Sequence, residues 1–409
     1  MKKTFQFFLL MISISFLIQP FAVYALDYPA IDSKIVEIYD LNNQEVIYEV
    51  DSTKQVSIAS LTKIVTTITA IESIPNLDEE VVITSSILNT VQWDASKAGL
   101  KAGDRVTYRD LLYASILPSG ADATNSIAIL STGSIDNFVQ KMNDLATKLK
   151  LKNTHFVNVT GLDDEGHYST ADEIRQILEY ALKNELFRQI YTTREYTLSN
   201  GLTVQSTIVK YNPYSSVDTS KILGSKTGYT GDAGYCLSSL SNINSHEFLI
   251  IVLNAEHKDN QYYNLTDSVN LINFLLEHFM DQVLVPKGDV VKTIPIRLSK
   301  TESYEVKAST DISLYLPDDY DKEKVKIKYD GLEELSFLNK KNEKIGKVTY
   351  YYGKEKITEE DIILQADIKM DFKKILKEYF YLFIIIPLLF IIMIVLLVRR
   401  KKKRKRKKK

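Results

Sequence analysis

The chain has 409 residues, 45% of them hydrophobic and 25% charged, which leaves room for two folded domains and excludes a disordered or fibrous polymer. The net charge of −1 conceals a basic end: Arg399 to Lys409 are all Lys or Arg, and with these and Lys2 and Lys3 set aside, 52 acidic residues face 38 basic ones. Such an acidic body argues against a nucleic-acid partner, and a single cysteine, Cys236, rules out an intrachain disulfide.

Lys2 and Lys3 precede an apolar run from Phe5 to Ile18, and Ala22-Val23-Tyr24-Ala25 follows. A short apolar core closed by a small-x-small pattern predicts a secretory signal peptide over residues 1–25. Residues 34–49 read as a hairpin, with Ile35–Tyr39 and Val46–Tyr48 flanking the turn pair Asn42-Asn43. At Ser60 the apolar spacing becomes helical (Ile64, Val65, Ile68, Ile71), and a largely helical region runs to about Leu186. Within it Thr107-x-x-Asp110 and Thr170-x-x-Glu173 have the pattern of capping boxes. Tyr235–Leu240 and Phe248–Leu253 read as strands joined by the polar turn Ser241–Ser245, and a helix over Asp267–Met280 closes the region. Strands, then helices, then strands again predict an α+β domain over residues 26–282: an antiparallel sheet covered by helices.

From Val283 short β-rich segments alternate with turns: Thr293–Leu298, Ser303–Lys307, Ile312–Leu316, Val325–Tyr329 and Lys347–Tyr352. They predict a small all-β domain over 283–370, announced by Pro286-Lys287-Gly288, with no chemistry of its own. Asp367–Glu378 reads as an amphipathic lead-in. Tyr379–Val398 is twenty residues without a charge, about 30 Å of helix and enough to cross a bilayer core, with Pro387 inside it. The basic block at 399–409 places that end in the cytoplasm and can hold anionic headgroups.

Three motifs carry chemistry. In Ser60-Leu61-Thr62-Lys63 the serine and lysine are three apart on a helix and share a face, which brings an amine to a hydroxyl that no histidine serves. Pro118-Ser119-Gly120-Ala121-Asp122 is a turn between helical runs that can present a hydroxyl to a cleft. Lys226-Thr227-Gly228-Tyr229, on an edge strand, offers a cation, a hydroxyl and an unobstructed backbone to an extended substrate. Singly, each also fits a plain structural element: a capped amphipathic helix, a helix–helix turn, a Gly-rich hairpin loop. Lys226-Thr227-Gly228 is not a phosphate loop, because Gly-x-x-x-x-Gly-Lys is absent. Cys236 reads as a buried apolar residue behind this motif. Trp93 and the tyrosines read as core and cleft-wall residues. His155, His167, His246, His257 and His278 lack close ligand spacing, so no metal is expected.

In this order, and with Thr154-His155-Phe156-Val157-Asn158, Gly161-Leu162-Asp163-Asp164 and His167-Tyr168-Ser169-Thr170-Ala171 between them, the motifs resemble the low-molecular-mass penicillin-binding proteins that are D-alanyl-D-alanine carboxypeptidases. The resemblance covers about Ala25 to Met370. It implies a β-lactamase/transpeptidase-like α+β catalytic domain, with the small β domain and the transmembrane helix as further parts of that layout. By that resemblance Ser60 is the acylated nucleophile and Lys63 its base, with a pKa depressed by burial and by the charge of Lys226. Ser119 relays a proton to the leaving amine, Lys226 and Thr227 hold the substrate carboxylate, and Gly228 gives the substrate backbone room. The N–H groups of Ser60 and Tyr229 form the oxyanion hole. It further implies stem peptides ending in D-Ala-D-Ala as substrate, β-lactams as covalent inhibitors, membrane lipids as the anchor's partner, and no cofactor.

Two positions depart from that family's pattern. Its second motif has Asn two residues after the serine, where this chain has Ala121, so that Asn125 one turn on takes the role or the contact is missing. Many members carry His before Gly-Leu-Asp, where this chain has Thr160, so that deacylation is slower or differently organised. Three alternatives stand beside the carboxypeptidase. A β-lactamase would need a Glu-x-x-Leu-Asn pattern that is absent between Ala121 and Lys226. The others are an endopeptidase of the same fold and a wall-peptide binder without turnover.

Overall fold

The computed structural model describes residues 28–210, 217–258 and 261–406, in two units, 28–280 and 281–406. The signal-peptide expectation lies outside the described residues.

In the first unit five strands form an antiparallel sheet: β1 (Ile35–Asp40), β2 (Glu45–Val50), β3 (Ile222–Thr230), β4 (Gly234–Ile243) and β5 (His246–Ala255), in the order β2-β1-β5-β4-β3. The central strand β5 is the most apolar, and both its faces are covered. Leu249, Ile251 and Leu253 point into the main helical core, and Phe248, Ile250 and Val252 are buried on the opposite face. The β4–β5 turn is tighter than expected. Asn244 and Ser245 alone make it, at φ +51° and +70°, the left-handed pair that suits a right-twisted hairpin. Ser241 and Ile243, expected in the turn, are buried ladder residues instead. Strand β3, with Lys226-Thr227-Gly228, is the sheet edge, paired only with β4.

The helices are α1 (Thr62–Ser73), α2 (Tyr108–Ile116), α3 (Ala121–Thr132), α4 (Ile135–Lys148), α5 (Ala171–Leu182), α6 (Glu185–Thr192) and α7 (Tyr263–His278). Helix α7 starts four residues earlier than predicted and gives way to a strand at Phe279. It packs on β4 and β5, and α5 packs on β1 and β5. Helix α1 is the spine of the core. Ile64, Val65 and Ile68 are at most 1% exposed, each contributing about 1.5–3 kcal/mol by burial. Of its buried threonines, Thr66 Oγ1 donates to Val159 O at 2.9 Å, whereas Thr69 Oγ1 has no partner among the described residues.

Thr107 and Asp110 form a complete capping box. The second box is half made. Thr170 Oγ1 accepts from Glu173 N, but the Glu173 carboxylate turns away to Lys152 N and Asn153 N at 2.8 and 3.0 Å. It ties down the non-helical segment that links α4 to α5.

In the second unit the five predicted strands occur as Val290–Arg297, Ser303–Lys307, Ile312–Pro317, Val325–Gly331 and Lys344–Tyr352. A further strand, Glu355–Ile363, pairs antiparallel with Lys344–Tyr352. Its run of charges hides it from apolar patterning. The charges pair across strands on a solvated face, Lys347 with Glu359 at 3.0 Å and Lys344 with Asp361 at 2.6 Å. The lead-in is a short helix, Phe372–Glu378, capped by Asp371. A helix over Phe380–Arg406 follows and contains Pro387; its apolar stretch has a mean hydropathy of 3.3 and no buried share.

Candidate active site

Ser60 lies in a single 3₁₀ turn, Ala59–Leu61, just ahead of α1. It is not a capping serine, since no side chain caps that turn. Ala59 carries φ +47°, a left-handed conformation that costs a non-glycine residue about 1–2 kcal/mol and turns Ser60 toward the cleft. The strain is held by Thr62 Oγ1, which donates to Ala59 O at 2.9 Å. Behind it stands His167. Its Nδ1 accepts from Val157 N at 3.2 Å, so its Nε2–H donates to Thr62 Oγ1 at 2.8 Å. Burial lowers the His167 pKa to about 4, so this imidazole is a neutral brace.

One helical turn on, Lys63 is 2% exposed. Its Nζ lies 2.9 Å from Ser60 Oγ and donates to Thr160 O at 2.7 Å. Burial brings the amine down to about 7, with the Asp122 carboxylate pulling back up. The expected push from Lys226 on Lys63 is not among these causes. The coupling acts on Lys226, held well below its ordinary value by burial first and by the charge of Lys63 second.

The second and third motifs meet across the cleft. Ser119 has φ +63°, which aims its hydroxyl at Lys226; Nζ donates to Ser119 Oγ at 2.9 Å and to Thr227 O at 2.7 Å. Thr227 Oγ1 donates to Thr207 Oγ1 at 2.7 Å. Ser60, Ser119, Thr207, Thr227 and Tyr229 all line one cleft of about 180 Å³. Two glycines permit the approach. A Cβ on Gly228 would stand 2.9 Å from Ala59 Cβ and 3.0 Å from Ser60 N, so only glycine lets the sheet edge reach the serine turn. Gly161, at φ +82°, lies where a Cβ would fall 1.8 Å from Ala59 O.

Several supports lie inside the quoted motifs at positions to which the sequence assigned no role. Asp122, at 2% exposure, accepts from the N–H groups of Ala98, Gly99 and Leu100 at 2.8, 2.9 and 3.1 Å and so fixes the loop before it over the cleft. Asp163 accepts from Ser57 Oγ and Thr230 Oγ1 at 2.8 and 2.6 Å, clamping the end of β3. Asn158 Oδ1 accepts from Gly161 N at 2.7 Å and shapes the loop that presents Thr160 O. The departure at Thr160 leaves the Lys63 contact intact, because a backbone carbonyl makes it.

Asn125 does not take the place left by Ala121. Its Nδ2 donates to Thr90 Oγ1 at 2.9 Å, and it lines a separate recess of about 90 Å³ with Ala121 and Thr160. Trp93 is neither core nor wall but 89% exposed on the segment between α1 and α2. Cys236 is fully buried, its thiol pushed up to about 12 by desolvation, and it is inert.

Residues 22–257 match the family model for D-alanyl-D-alanine carboxypeptidases, and residues 279–370 match that of the C-terminal domain of penicillin-binding protein 5. The chain is 27% identical over 346 residues to the D-alanyl-D-alanine carboxypeptidase DacF of Bacillus subtilis, spanning 83% of this chain and 86% of that one. It is 29% identical over 245 residues to a D-alanyl-D-alanine endopeptidase of Escherichia coli, spanning 59% and 77%. Penicillin-binding protein 5 of Haemophilus influenzae has the same fold, with a TM-score of 0.58 at 23% identity, over 84% of this chain and all of that one. The chain belongs to the D-alanyl-D-alanine carboxypeptidase family of penicillin-binding proteins and is an enzyme of that class.

Proposed function

We propose that Ser60 is the acylated nucleophile of this carboxypeptidase and that it removes the terminal D-Ala from peptidoglycan stem peptides. The observation that carries the assignment is Lys63 Nζ at 2.9 Å from Ser60 Oγ, on an amine that burial makes half-neutral near pH 7. Ser60 Oγ attacks the carbonyl of the penultimate D-Ala and its proton passes to Lys63. The N–H groups of Ser60 and Tyr229 hold the oxyanion. The C–N bond then breaks as Ser119 gives its proton to the leaving amine and regains one from Lys63, which returns Lys63 to its neutral form. Water attacks the ester, Lys63 takes its proton and delivers it to Ser60 Oγ as the ester bond breaks, and the shortened peptide leaves with Ser60 and Lys63 restored. Lys226, Thr227 and Thr207 fit the terminal carboxylate. Burial and the charge of Lys63 hold Lys226 well below its ordinary value, and the substrate carboxylate favours its protonation and becomes its counter-ion.

The test uses the whole protein with a pentapeptide ending in D-Ala-D-Ala, and separately with a labelled penicillin. Release of one D-Ala per peptide and a long-lived adduct on the fragment holding Ser60 are expected. Rapid penicillin turnover would make the enzyme a β-lactamase; neither release nor adduct would overturn the assignment.

The address is part of the same reading. A signal peptide over residues 1–25 exports the body, and the single helix from Phe380 anchors it with the basic tail inside the cell. Truncation after Glu378 is expected to release the protein into the medium with penicillin binding unchanged. Membrane retention of that form in a fractionation assay would mean that another surface binds lipid.

A further inference from the structure

Among the described residues the cleft is lined by one carboxylate. Asp94 lines it beside Ser60, Ser96 and Ser119, and is exposed. Among the described residues Asp94 makes no ion pair and no side-chain hydrogen bond, and Lys97, three residues on, does not reach it. The placement is built in. Ser96 O accepts from Ala121 N at 2.8 Å, and the N–H groups of Ala98, Gly99 and Leu100 are gathered on the buried Asp122, so the loop is pinned to the start of α3 from Ser96 onward, two residues after Asp94. Tyr229, Tyr235 and Tyr262 also line the cleft, and Trp93, next to Asp94, stands 89% exposed with no packing role.

An unpaired carboxylate in a cleft built for an anionic chain end repels its own substrate unless that substrate also carries a cation. In the proposed mechanism Lys226 already serves the carboxylate end, and Lys63 is the base. We infer that Asp94 is a specificity-determining residue that selects stem peptides carrying a free side-chain amine upstream of the scissile bond. The reading rests on the carboxypeptidase function proposed above. The amine meets the Asp94 carboxylate, and the exposed aromatic faces at the cleft favour the same charge. The pair lies at the surface, so its effect is that of an exposed ion pair and is screened by salt.

The test compares two peptides of the form acyl-lysyl-D-Ala-D-Ala, one with a free ε-amine and one with that amine acetylated. The wild-type protein is expected to favour the free amine in kcat/KM by about three- to fivefold at low salt, mostly through KM. The preference is expected to shrink as salt is raised. In Asp94→Asn the ratio should fall to about one, and in Asp94→Lys it should invert, each with an unfolding midpoint close to that of the wild type. A wild-type ratio of one, or a preference that survives in Asp94→Asn, overturns the inference. Release from neither peptide by the wild-type protein would instead strike at the carboxypeptidase reading, and the inference would fall with it.

Discussion

Ser60→Ala is expected to lower the rate of D-Ala release by a factor of about 10⁴ or more and to abolish the covalent penicillin adduct. The size follows from the chemistry. Among the described residues Lys63 is the one amine that hydrogen-bonds Ser60 Oγ, and without that oxygen it has nothing to deprotonate but water. The other parts of the cleft are untouched. Lys226 keeps Ser119 Oγ and Thr227 O as acceptors, and Thr227 keeps Thr207. Peptide binding therefore persists, and equilibrium binding of an uncleaved peptide to Ser60→Ala is the companion measurement. Ser60 is only half-buried, so the loss of one hydroxyl should move the unfolding midpoint by a few degrees at most. Release of D-Ala at an undiminished rate would show that another group attacks.

The parts of this site that the sequence displays are those with a fixed local spacing. Ser60 and Lys63 share a helical face, and the alternation around Tyr235 and Phe248 yields strands where strands occur. What is hidden depends on contacts far apart in the chain or on backbone groups. Thr160 contributes a carbonyl, which any residue carries, so its side chain gives no sign of the bond to Lys63. Thr207 meets Thr227 across twenty residues, and while Thr227 stands in a motif, nothing local marks Thr207. Asp122 looks like an ordinary acid in the first turn of a helix, yet it organises the loop that holds Asp94. Ala59 and Ser119 adopt positive φ without being glycine, so turn propensity does not reveal them. The strain sits at Ala59, next to the proposed nucleophile, and at Ser119, the proposed relay, where tertiary contacts over-determine the backbone. Of the two alternatives at Ala121, spacing alone cannot choose: Asn125, four residues on, shares its helical stripe, but its amide is taken by Thr90, outside the cleft.

Lys63→Met is expected to slow acylation of Ser60 by a factor of about 10² to 10⁴, the range for loss of a positioned base. Methionine matches the length of the lysine stem and suits a buried site, so the fold should survive the change. The amine it removes acts only when neutral. Burial sets the Lys63 pKa at about 7, so the wild-type acylation rate should climb with pH through that value as the neutral fraction grows. In Lys63→Met the residual rate should lose that inflection. The same group writes a signature on stability. The folded protein binds this proton more weakly than the unfolded chain, whose lysine titrates near 10.5. Unfolding therefore takes up a proton between about pH 7 and 10.5, and stability rises with pH across that window. Lys226 is shifted in the same direction and contributes with the same sign, so Lys63→Met should reduce this slope without removing it. Denaturant unfolding at pH 7 and pH 9 measures the difference. A variant that keeps the wild-type acylation rate and its inflection near pH 7 would move the role of base from Lys63 to another group. The pairing of a flattened rate profile with a reduced stability slope is what a buried, half-neutral amine beside Ser60 requires.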